Sequence, residues 1–213
     1  MSRRLAAWTL FVALISAVGY AGRFSSGRPD RNVLYQWSTA ASELVVFAVI
    51  LGVTLAITGN QRQLLALRRP LSWRRALLLC LVLLAGVYAV IAALDPLLHG
   101  GREQGLTPNG WQSNHAAAYT ANFVVVVAVA PFTEELLFRG LGYSLLEPFG
   151  RWPAIVAVGI AFGLYHGLVQ ALPELAFFGC VLAWLRSQTT SVYPGMLLHA
   201  TFNAIALIAA VTT

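Results

Sequence analysis

The chain has 213 residues, 58% of them apolar and only 10% charged, with a formal net charge of +6 at neutral pH. Soluble domains carry about a quarter charged residues, so this composition excludes an ordinary water-soluble domain. The basic excess does not point to nucleic acid, because the arginines sit mostly in short loops between apolar runs, where topology accounts for them.

Seven segments are long and apolar enough to cross a hydrocarbon core of ~30 Å, which takes about 20 helical residues. They run approximately 5–22, 40–59, 76–98, 116–146, 153–170, 173–187 and 191–212. The first follows Arg3 and Arg4 and contains Gly19-Tyr20-Ala21, a signal-peptide-like arrangement, but its length and the spans after it favour an uncleaved anchor. Asp95-Pro96 is expected to end the third helix. In water the valine run 124–127 would suggest a strand, but a lone span in lipid satisfies its backbone only as a helix. Glu147-Pro148-Phe-Gly150-Arg-Trp-Pro153 reads as the turn between the fourth and fifth helices. Glu174, after Pro173, is expected to cap the sixth. Cys80 and Cys180 lack metal-ligand spacing and read as small core residues.

The predicted fold is therefore an all-α, polytopic transmembrane bundle of about seven spans. No repeat or linker divides it, so residues 1–213 form one membrane domain, with scaffold helices over 1–115 and a catalytic helical core over 116–213. Nine arginines fall on one side (Arg3, Arg4, Arg62, Arg68, Arg69, Arg74, Arg75, Arg151 and Arg186) and four on the other (Arg23, Arg28, Arg31 and Arg102). The positive-inside rule then puts the N-terminus in the cytoplasm and Thr213 outside. Arginine in place of every lysine points to a GC-rich bacterial genome, hence an inner membrane.

Ionisable groups inside spans are costly and usually functional. Three patterns carry them: Glu134-Glu135-Leu-Leu-Phe-Arg139, Phe162-Gly-Leu-Tyr-His166 and His199-Ala-Thr-Phe-Asn203. At 1.5 Å per residue, Glu134 and His166 both lie roughly 20 Å from the turn at 147–153, and His199 and Asn203 roughly 12 to 18 Å inside the seventh helix. The fourth, fifth and seventh helices can thus bring them to one layer. Residues four apart share a face, so Arg139 neutralises Glu135, while Glu134 turns about 100° away. Gly159, Gly163 and Gly167 form a small-residue stripe for close helix packing, beside Phe162 and His166. A carboxylate with an imidazole can deprotonate water and pass the proton to a leaving amine, and His199 and Asn203 can stabilise an oxyanion. Peptide hydrolysis follows as the expected chemistry, with Glu134 as base and His166 beside it.

At these residues the chain resembles the intramembrane type II CAAX prenyl endopeptidases and their bacterial relatives, the Abi or CPBP family. Glu-Glu-xxx-Arg, Phe-xxx-His and His-xxx-Asn are complete and in order, over about residues 115–208. The resemblance implies that Glu134 and His166 activate water, that His199 and Asn203 hold the oxyanion, and that Glu135 and Arg139 support them. It implies as partners the bilayer and a membrane-associated protein or peptide substrate, lipidated or not. No cofactor is expected, the alternative being zinc held by Glu134, His166 and His199. Two other readings stay open: a silent bacteriocin-immunity or binding protein of the same fold, and a proton-coupled carrier, which also uses buried Glu, His and Asn. Glu135 with Arg139 can equally be a structural ion pair, and Asn203 simple helix glue.

Overall fold

The computed structural model describes residues 2–25, 32–103, 108 and 110–212. Arg28, Arg31, Thr213 and the Arg102 side chain, used above for topology, lie outside the described residues. Among the described residues, seven long helices account for the seven apolar runs: α1 (Arg3–Ser25), α2 (Trp37–Thr58), α3 (Trp73–Leu98), α4 (Ser113–Phe149), α5 (Arg151–Tyr165), α6 (Leu172–Thr189) and α7 (Tyr193–Thr212). Among the described residues there is no strand, as internal backbone pairing in lipid requires.

Five of these helices, α1, α2, α3, α4 and α7, are long and apolar enough to cross a membrane. The other two complete the bundle: α5 is apolar but has 15 residues, and α6 carries the buried Glu174 and Arg186. Leu10, Leu14, Val18, Val45, Leu81 and Val82 are exposed on outward faces, which for spanning helices is a lipid-facing surface.

Helix α4 is the axis of the fold. Leu136, Leu137, Phe138, Arg139 and Leu141 are almost completely buried in it. The rod is not a uniform α-helix. It widens into π-helix at Val125–Val129 and again at Leu136–Gly142, on either side of Glu134 and Glu135. The first widening immediately precedes Pro131, whose missing N–H and ring disrupt regular α-helical bonding. In each, a backbone carbonyl takes a side chain from another helix: Asn203 Nδ2 donates to Val126 O at 2.8 Å, and Trp8 Nε1 to Leu137 O at 3.0 Å. Regular periodicity hides such irregularities, and π turns are frequent at functional sites.

Glycines let the backbones close on one another. A Cβ on Gly179 would lie 2.9 Å from Gly159 Cα, and one on Gly163 would lie 3.0 Å from Ala176 N, so the expected small-residue stripe packs α5 against α6. Gly167 departs from that expectation. It has φ +64 and packs on Gly19 of α1, outside α5.

That turn corrects the fifth segment, expected to reach 170: α5 stops at Tyr165, with His166 at its C-cap. The reason is the left-handed Gly167 together with a carboxylate that holds the following turn. Glu103 accepts hydrogen bonds from Val169 N, Gln170 N and Ala171 N at 3.0, 2.6 and 3.0 Å, and pairs with Arg23 at 3.0 Å. Glu103 therefore takes the role expected of Glu174 at the start of α6. Glu174 makes no capping bond and is buried. The third helix runs past Pro96 to Leu98, so the proline sits in its last turn, and it stops at the left-handed His99.

Some arginines bind the ends of neighbouring helices. Arg4 Nε donates to Ile57 O and Arg68 Nε to Thr190 O, tying helix ends together. Arg186 is buried, with its guanidinium 5.3 Å from the Tyr143 ring centroid. Cys80 and Cys180 are free thiols, the first buried in the core.

Candidate active site

The cluster starts from Arg139, fully buried in the second π turn of α4. Such a cation must be paired to be tolerated. Its Nη1 donates to Glu135 Oε1 at 2.8 Å and its Nη2 to Gly179 O of α6 at 3.0 Å. Its Cζ stands 4.3 Å from the centroid of Phe162, a cation–π contact that joins α4, α5 and α6. The expected Glu135–Arg139 pair is present, and Phe162 is the ring beneath it.

Glu135 reaches further than an ion pair. Its Oε1 also lies 3.3 Å from His199 Nδ1 of α7, so one carboxylate oxygen serves both the guanidinium and the imidazole. An acceptor at Nδ1 favours the tautomer with the proton there. Nε2 of the same ring stands 3.8 Å from Glu134 Oε2. Gly195, one turn before His199, makes this fit possible, since a Cβ there would lie 2.5 Å from Glu135 Oε2.

The two histidines flank Phe162, with ring centroids 4.6 Å (His166) and 5.7 Å (His199) from it. His166 Nδ1 lies 2.8 Å from Phe162 O, and since a carbonyl only accepts, Nδ1 carries the hydrogen and a neutral ring leaves Nε2 as acceptor. His166 makes no hydrogen bond or ion pair to Glu134; the histidine beside Glu134 is His199. Asn203 sits one turn beyond His199, with one amide hydrogen committed to Val126 O. It holds α7 to α4, the glue role, while also lining a cavity between α3, α6 and α7.

Two residues missed in the sequence border Glu134. Tyr165 and, from α2, Glu43 interact electrostatically with the Glu134 carboxylate. Glu43 Oε2 is buried without a hydrogen-bond partner. An ionisable residue inside the second apolar run was the available signal for Glu43. Tyr165 gave none beyond preceding His166.

Among the described residues, no three His, Cys, Asp or Glu side chains gather into a group that could hold a metal.

The fold and this cluster define a class: a multi-pass helical membrane protein with a carboxylate–histidine–arginine site held among its spans. Residues 116–205, under half of the chain, match the family model for Type II CAAX prenyl endopeptidase Rce1-like proteins, a match consistent with the CAAX protease family which the three motifs resemble. No curated protein and no solved structure matches.

Proposed function

We propose that the protein is an intramembrane endopeptidase that hydrolyses a peptide bond in a membrane-associated protein or peptide. The observation that carries this reading is His199, with Nδ1 against the Arg139-neutralised Glu135 and Nε2 facing Glu134 at 3.8 Å. Glu134 takes a proton from water, whose oxygen then attacks the scissile carbonyl carbon. His166 Nε2 accepts a hydrogen bond from the same water and orients it. Negative charge develops on the carbonyl oxygen, where the remaining Asn203 N–H and a protonated His199 Nε2 act as donors, each worth about 2.7 to 4 kcal/mol in comparable oxyanion sites. As the C–N bond breaks, the proton held between Glu134 and His199 passes to the leaving amine. Arg139 pairs with Glu135 and fixes its carboxylate, which in turn sets the His199 tautomer. The N-terminus lies in the cytoplasm on this reading, in a bacterial inner membrane.

The test compares host membranes holding equal amounts of wild type or Glu134→Gln, with newly exposed peptide ends identified by mass spectrometry. Ends that vanish in the variant support proteolysis and name a substrate. Identical ends from a folded, inactive-by-design variant overturn the role of Glu134.

A further inference from the structure

Between α3, α6 and α7 lies a cavity of about 370 Å³, within the ~300–1,000 Å³ range of ligand clefts. Most of its wall is apolar: Tyr88, Ile91, Phe178 and Leu207 face it. Phe178 packs on His199 with ring centroids 5.3 Å apart, and Asn203 is part of the wall, so the cavity adjoins the cluster described above. At the end formed by the C-terminal turn of α3 and the N-terminal turn of α6 it is lined by two carboxylates, Asp95 and Glu174.

Glu174 is 6% exposed, and its Oε1 is buried with no hydrogen-bond partner. Asp95 repels it. Among the described residues no cation pairs with Glu174, although an unpaired buried carboxylate is costly and its neighbour adds to the cost. Helix capping does not explain it, because Glu103 already holds that end of α6. What would satisfy this carboxylate is a positive charge entering the cavity, and the apolar wall behind requires that charge to be carried on an apolar chain.

We infer that this cavity binds an apolar chain bearing a cationic group, with the cation at Glu174 and Asp95 and the chain along Phe178 and Leu207 towards Asn203. Taking the occupant as a substrate segment with a lysine or arginine side chain rests on the proteolytic reading above. Binding of the amphipathic cation does not.

The probes are n-dodecylamine, protonated at neutral pH, its uncharged analogue n-dodecanol, and magnesium chloride, each titrated against the full chain in a neutral detergent while the thermal unfolding midpoint is followed. A ligand of the native state raises the midpoint saturably. Dodecylamine is expected to do so well below the concentration at which dodecanol does. Glu174→Gln should weaken the amine at least about tenfold, as loss of a charged hydrogen-bond partner does. Asp95→Asn provides the same comparison if Glu174→Gln does not fold, and Ala92→Phe, which fills the wall, should abolish the response. Glu134→Gln should bind the amine as wild type does, which separates this site from the proposed catalysis. Equal responses to amine and alcohol, an amine response untouched by Glu174→Gln and Asp95→Asn, or an equal saturable response to magnesium would each overturn the inference.

Discussion

His199 Nδ1 and Glu135 Oε1 lie 3.3 Å apart, and that oxygen is the one already bonded to Arg139 at 2.8 Å. A residue read from sequence as support for its neighbour therefore acts across the bundle, fixing the orientation of an imidazole on α7. The consequences can be measured.

Breaking this arrangement from one side should be severe. Arg139→Met leaves Glu135 buried and unpaired, for which a loss of roughly 3–5 kcal/mol is expected. Glu135→Gln/Arg139→Met should be more stable than Arg139→Met alone. Thermal unfolding in detergent checks the order; a double variant less stable than the single would contradict the pairing.

Gly195→Ala separates stability from chemistry. The added methyl meets Glu135 Oε2 at 2.5 Å and must displace the carboxylate that positions His199. Misplacement by about 1 Å can cost on the order of 10²-fold in rate. The rate of appearance of Glu134-dependent peptide ends should fall by that order, and an unchanged rate would show that the carboxylate need not stay where it is.

Trp8→Phe removes the donor to Leu137 O and leaves that π-turn carbonyl without its partner from α1. A destabilisation of about 1–3 kcal/mol follows from an unsatisfied buried group. Thermal unfolding should show it, and no change would mean that another donor replaces the indole.

Acid stability should depend on Glu103. Burial alone would raise its pKa, but hydrogen bonds from Val169 N, Ala171 N and Gln170 N and the charge of Arg23 outweigh burial and hold it below the ordinary value of 4.5. A group whose folded pKa is depressed adds stability above its unfolded pKa and loses it as pH falls through the folded pKa. Wild type should therefore lose stability as pH drops below about 4.5, and Glu103→Gln should be less stable near neutrality but flatter across that window. Parallel pH profiles for the two proteins would refute the role.

Much of the architecture was legible because lipid allows little else: apolar runs of spanning length must be helices, and the turn at 147–153 fixed the hairpin of α4 and α5. Glu135 with Arg139 was readable from four-residue spacing. The contact of Glu134 with His199 was not, since depth along a helix gives the level of a side chain and not the angle of its neighbour. Glu174 was misread because a carboxylate near a helix start looks like a cap, while the true cap, Glu103, comes from a turn distant in sequence. Neither π turn leaves a mark in hydropathy.

Those two π turns give the site an arithmetic. Successive helical residues differ by about 100° in direction. Widened turns within Val125–Val129 and Leu136–Gly142 set the angular phase between Tyr119 at the start of α4, Glu134 and Glu135 in the middle, and Tyr143 at the end. Deleting a single valine from the first would keep α4 apolar and membrane-spanning. It would also turn either the helix before it or the carboxylates after it by about 100°. Side-chain identity at 134 and 135 is thus only half of the requirement; the number of residues that precede them within the rod is the other half.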